Sequence, residues 1–167
     1  STDGTPNTVA SGCDQRGAWD AADLDRQQTK IVKAISALDA SVTGLMEIEN
    51  SAKLGEDKDE ATKTLVAALN KAAGRAKWAY VPSSDQLQPV EDQDVITNAL
   101  IFQPDEVVWA GKSYADGKDA TDAGPFGNAR TPLAAAFTPV GGGAPMLVAV
   151  NHFKSKSPTG ATGANAD

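Results

Sequence analysis

Glu47 and Glu49 close the apolar stretch Ser41-Val-Thr-Gly-Leu-Met-Glu-Ile-Glu49. In a strand, alternation sets Leu45, Glu47 and Glu49 on one face, and two carboxylates at a strand end can hold a hard divalent cation through oxygen. Acidic residues also mark where a strand meets water, and spacing alone leaves both readings open. His152, the one histidine, follows the apolar run Met146-Leu-Val-Ala-Val150. An imidazole at a strand end can donate a hydrogen bond to a phosphate oxygen or move a proton near neutral pH. It can equally be a hydrogen-bonded structural group. Lys154 and Lys156 form either a small positive cluster beside it or a solvated strand end. Arg130 carries a planar fork suited to phosphate, or is a surface arginine. Gly111-Lys112-Ser113 fails as a phosphate loop because the first required glycine falls at Glu106. The aspartates at 57 and 59, and at 116, 119 and 122, lack the glycine and terminal glutamate of a calcium loop and read as solvated loops.

The elements that must position these groups follow from periodicity. Asp20 is a candidate N-cap, and Leu24, Gln28, Ile31, Ile35 and Leu38 recur at helical steps, predicting a helix to about residue 39 with this stripe inward. Residues 41–49 are too short and apolar for a second surface helix and read as a buried strand. A second helix is expected from Asp59 to Ala73, with Leu65, Ala68, Leu69 and Ala72 inward and Gly74 as its stop. Strands follow over Lys77 to Val81, Val95 to Phe102, Glu106 to Lys112, Leu133 to Val140 and Met146 to Phe153, the last two joined by Gly141-Gly142-Gly143. The pattern predicts an α/β layered domain with largely antiparallel sheet.

The 167 residues suffice for one domain or part of one. Hydrophobic residues at 41% and charged residues at 22% exclude a disordered or collagen-like chain. No apolar run reaches the roughly 18–20 residues that cross a bilayer, so no membrane-spanning segment is expected. A net charge of -7 is the wrong sign for broad phosphate neutralisation, so phosphate chemistry must rest on a bound cation and a few placed basic groups. Cys13 has no internal partner and is either a free thiol or paired outside this stretch. Residues 1–18 read as an irregular lead-in without signal-peptide character, the loop 114–130 as functional or mobile, and 155–167 as a flexible loop or tail.

In combination, Arg26-Gln-Gln-Thr-Lys-Ile-Val32, Gly44-Leu-Met-Glu-Ile-Glu-Asn50, Asn98-Ala-Leu-Ile-Phe-Gln-Pro104, Arg130-Thr-Pro-Leu133 and Asn151-His-Phe-Lys-Ser-Lys156 resemble the endonuclease/exonuclease/phosphatase family. Its bacterial extracellular nuclease branch is the nearest match. The resemblance implies a four-layer α/β sandwich of the deoxyribonuclease-like type, two packed sheets flanked by helices and only partly represented here. It implies that Glu47 binds a catalytic Mg²⁺ or Mn²⁺ and that His152 acts at the scissile phosphate. Arg130, Asn151 and Lys154 would contact substrate phosphate, with Glu49 and Asn50 in support. The substrate would be nucleic acid, and the location outside a bacterial cell or at its surface.

The family also carries an opening strand with a metal-site asparagine, a later Gly-Asp-x-Asn segment and a final Asp-His pair, and these are not found in this sequence. The remainder of the domain is thus expected beyond this chain, and the 167 residues alone are expected not to cleave DNA. Two other functions stay open: a phosphatase or phospholipid phosphodiesterase of the same fold, and a non-catalytic surface binding module.

Overall fold

Asp20 opens the first helix by capping it: its side chain accepts the Asp23 backbone N–H at 2.8 Å. The computed structural model describes residues 18, 20–117, 126 and 129–153. The expectations for Cys13, for most of the lead-in, for much of the 114–130 loop, for Lys154 and Lys156 and for the tail lie outside these residues. Helix α1 spans Ala21–Leu38 and α2 spans Glu60–Ala73, the latter stopped at Gly74 with a left-handed φ of 67°.

Both inward faces differ from the sequence expectation. On α1 only Ile35 is buried, with Val32 packed beside it, while Leu24, Ile31 and Leu38 are exposed. This helix touches the body along one short line of its stripe, so periodicity overstated the burial. On α2 the buried residues are Thr62, Val66 and Leu69, with Leu65 partly covered, and Ala72 faces solvent. Larger side chains reach the core where alanine would not. The 57–59 segment is also more than a solvated loop, because Asp59 accepts hydrogen bonds from the backbone N–H and hydroxyl of Ser83.

Six strands form two antiparallel sheets. The first contains β1 (Val42–Glu49), β2 (Ala79–Tyr80) and β3 (Ile96–Phe102) in the order β1-β3-β2. The second contains β4 (Val107–Ala115), β5 (Arg130–Pro139) and β6 (Met146–His152) in the order β4-β5-β6. The glycine run closes the β5–β6 hairpin, pairing Phe137 with Met146 and using positive φ at Gly142 and Gly143. Strand β2 is shorter than expected, although the Val81 N–H still bonds to the Leu100 carbonyl. Two 3-10 turns, Ser51–Leu54 and Val90–Asp92, carry no periodic signal and were not expected.

The described residues stack in three layers, helices on the first sheet and that sheet on the second. Strand β3 is buried on both faces, which explains its apolar run from Ala99 to Phe102. Leu100 and Phe102 meet Leu133, Ala135, Phe137 and Val150 between the sheets, while Ile101 meets Ile35, Val66, Leu69 and Trp78 under the helices. The Phe102 and Phe137 rings lie 5.5 Å apart, tilted by 57°. Burying each such large side chain contributes about 1.5–3 kcal/mol. This is the expected α/β sandwich of two antiparallel sheets with helices.

Candidate functional site

The end of β1 is re-aimed by a bulge. Leu45 pairs with Ala99 and Ile48 with Thr97, so Met46 and Glu47 together stand opposite Asn98. The alternation expected for Leu45, Glu47 and Glu49 is therefore broken, because one extra residue shifts the phase of the strand. Glu47 sits at φ 59°, a left-handed conformation that costs a non-glycine residue about 1 kcal/mol or more and that recurs at functional sites. Its side chain is 66% exposed.

Close approach of the two sheets brings a second group to Glu47. A Cβ on Gly44 would lie 2.8 Å from a Val150 methyl carbon, so glycine there lets β1 run tight against β6. Two residues beyond Val150, the His152 Nε2 stands 3.7 Å from the Glu47 Oε1. That is too long for a hydrogen bond, yet short enough for both groups to reach one bound atom. The His152 Nδ1 is buried and has no hydrogen-bond partner among the described residues.

Arg130 is the direct cross-strand partner of His152. Its Nη2 lies 2.7 Å from the Asp94 carboxylate, so part of the fork is engaged, and its buried Nε has no partner among the described residues. Pairing resumes at Leu133 with Val150, leaving Thr131 and Pro132 opposite Asn151 alone. A second bulge thus faces the first. Between them lies Asn98, only 2% exposed, whose Nδ2 donates to the Thr131 carbonyl at 3.0 Å across the sheets.

The remaining expected site residues divide. Asn151 is exposed, and alternation along β6 sets it on the face opposite His152. Lys154 lies outside the described residues. Glu49 is half-buried, and burial, with repulsion from Glu56, pushes its carboxyl above its ordinary pKa of 4.5. Together with Glu47 it lines a cleft of about 330 Å³ against Leu24, Gln28, Ile31 and Leu65. Asn50 is buried and structural in its bonding: its Nδ2 donates to Gln93 Oε1 and to the Asp94 carbonyl, both at 2.9 Å. It borders a polar cleft of about 300 Å³ lined also by Gln88, Gln93, Asp94, Arg130 and Thr131. Sequence reasoning missed Asp94 and Asn98 as site residues. A polar residue interrupting the apolar β3 run was the available signal for Asn98, whereas nothing local marked Asp94.

Among the described residues no group of three or more His, Cys, Asp or Glu side chains could enclose a metal ion. Glu47 still fits a hard cation as one oxygen ligand, since Mg²⁺ keeps several waters and takes as few as one carboxylate.

The same architecture occurs in the crystal structure of a humanized D. rerio TDP2 carrying 14 mutations, with a TM-score of 0.50. The chain shares the two-sheet α/β sandwich fold of that structure. This likeness to TDP2 spans 81% of the present chain and 46% of that one, at 15% sequence identity, and is a likeness of fold. The sequence matches no family model and no curated protein. Among the described residues no helix is long and apolar enough to cross a membrane.

Proposed function

We propose that this chain is the Glu47-bearing part of a metal-dependent phosphodiester hydrolase, an extracellular bacterial nuclease that cleaves DNA, with RNA as an alternative substrate. The observation that carries the reading is the convergence of Glu47 and His152 from different sheets, 3.7 Å apart at the mouth of the sandwich. A structural role does not require a strained, exposed glutamate beside a histidine whose Nδ1 has no partner among the described residues.

In this reading Glu47 supplies one carboxylate ligand to Mg²⁺ or Mn²⁺. Such an ion, when bound, would polarise a phosphoryl oxygen and neutralise charge developing on it. The His152 Nε2–H donates to a phosphate oxygen and stabilises the crowded phosphorus centre. Arg130, held by Asp94, adds positive charge behind His152 rather than a free fork. The resemblance adds Asn151 and Lys154 as phosphate contacts, although Asn151 lies on the face of β6 opposite His152, while Glu49 and Asn50 hold the end of β1. No base that activates water is assigned among the described residues, and the likeness covers 46% of the TDP2 chain.

Incubating the complete protein with plasmid DNA and Mg²⁺ or Mn²⁺ tests the proposal. Cleavage that chelator abolishes and that Glu47→Ala reduces at least about 100-fold is expected. Preference for a nucleotide monoester or a sphingolipid would move the protein to a phosphatase or phospholipid diesterase. No turnover and no specific Mg²⁺ binding would leave a non-catalytic binding module. The isolated 167 residues are expected not to cleave DNA.

A further inference from the structure

We propose that Asn98 is a positioning residue for this site, holding the two facing bulges in register and, through them, Glu47 and His152. The proposal rests on the reading of Glu47 and His152 given above. Asn98 is the third residue of β3, immediately before the apolar run Ala99 to Phe102, and burying an amide there is costly unless its bonds are specified. One bond is specified: the Nδ2 donates to the carbonyl of Thr131, which belongs to the β5 bulge beside Arg130 and His152. On its other side Asn98 is the single residue facing Met46 and Glu47 in the β1 bulge. One residue therefore meets the irregularities of both sheets, through its side chain on β5 and through its backbone register on β1.

The placement also explains why the bulges can stay fixed. A bulge leaves a ladder locally unpaired and free to slip by one residue, which would turn every side chain beyond it to the other face. Slippage in β5 would separate Arg130 from His152, and slippage in β1 would carry Glu47 away from the inter-sheet mouth. The Asn98–Thr131 bond ties the β5 irregularity to the strand that pairs with β1. Asn98 Oδ1, Arg130 Nε and His152 Nδ1 are all buried and without hydrogen-bond partners among the described residues, so the polar capacity of this cluster is not consumed by the scaffold. Asn98 acts on the reacting atoms only through its neighbours.

A double-mutant cycle on the complete protein separates positioning from general stability. Asn98→Leu keeps similar volume and removes both the donor and the acceptor. At a temperature where circular dichroism shows the variant fully folded, kcat for DNA cleavage is expected to fall about 10- to 100-fold with KM little changed, the scale of displaced supporting contacts. In a His152→Ala background the same substitution is expected to add little further loss. A separate readout is the ring ¹⁵N spectrum of His152, assigned by its disappearance in His152→Ala and expected to shift in Asn98→Leu. Unchanged kcat with unmoved ring signals, or a full additional loss on top of His152→Ala, would overturn the proposal. If Asn98→Leu does not fold, Asn98→Ser carries the same cycle. If Glu47→Ala and His152→Ala themselves leave turnover unchanged, the hydrolase reading fails, and the ring spectrum alone decides whether Asn98 positions His152.

Discussion

Two polar clusters sit side by side at one end of the sandwich, and they differ in how completely their hydrogen bonds are filled. Around Asn50 the bonding is closed: Asn50 to Gln93 and the Asp94 carbonyl, Gln93 to the Gln88 carbonyl, and Thr131 to the Gln88 side chain. Around Glu47 it is open, with the carboxylate largely exposed and with atoms on Asn98, Arg130 and His152 that have no partner among the described residues. A buried polar group left unsatisfied costs about 1–3 kcal/mol, so an open cluster survives where it is supported from outside itself. Arg130 and Asp94 link the two, one residue from each side. The closed network has the bonding of a scaffold, and the open one is where the proposed chemistry is placed.

The sharpest way to break this division is to truncate both clusters and compare activity with stability. Glu47→Ala or His152→Ala should lower turnover of the complete protein by about 100-fold or more while leaving the melting temperature nearly unchanged. A large fall in melting temperature would make the open cluster scaffold as well. Asn50→Ala should do the reverse, because it strands the Gln93 and Asp94 oxygens in a site where Asn50 is 8% exposed. The expected cost is about 1–3 kcal/mol in denaturant unfolding, with turnover reduced far less than in the first pair.

The scaffold was more legible in the sequence than the site. Asp20, Gly74 and the 141–143 glycine run are local signals, and each marks its boundary because capping and turn geometry depend on adjacent residues. The pairing of Glu47 with His152, 105 positions apart in sequence, depends on register across strands in different sheets, where periodicity carries no information. The bulge at Met46–Glu47 made simple alternation wrong for that segment, since one inserted residue inverts the phase. The family resemblance supplied both residues without supplying their geometry. Asn98 was visible inside a quoted segment, yet its role required knowing that Thr131 lies across from it. Asp94 could not be found at all, because its only mark is a spatial partner.

The link between the clusters gives a smaller effect. Asp94→Asn removes the charge opposite Arg130 but keeps the shape, and the pair is partly exposed, so the stability change should stay within about 1 kcal/mol. If Arg130 serves substrate phosphate from its held position, the variant should alter KM more than kcat. A kcat loss as large as that of His152→Ala would instead merge the two clusters into one functional unit.

The smallest effect is expected at the opposite end of β1, where a closed polar cluster has no chemistry to support. Asp39 follows α1 at φ 47° and accepts hydrogen bonds from Lys77 at 2.7 Å and Gln103 at 2.9 Å. The bonds from Lys77 and Gln103, then the Lys77 charge, hold its carboxyl below the ordinary value of 3.8. A depressed folded-state pKa means the unfolded chain binds the proton more readily, so the stabilisation is complete above the ordinary pKa and is lost as pH falls through the folded one. Asp39→Asn tolerates the left-handed backbone and removes the carboxylate's charge, and with it the titration, while keeping its shape. Melting curves should therefore separate wild type from variant slightly at neutral pH and converge in strong acid, with DNA cleavage at neutral pH unchanged. A gap that widened toward low pH would reverse the sign, and a loss of cleavage would mean that the two ends of β1 are coupled.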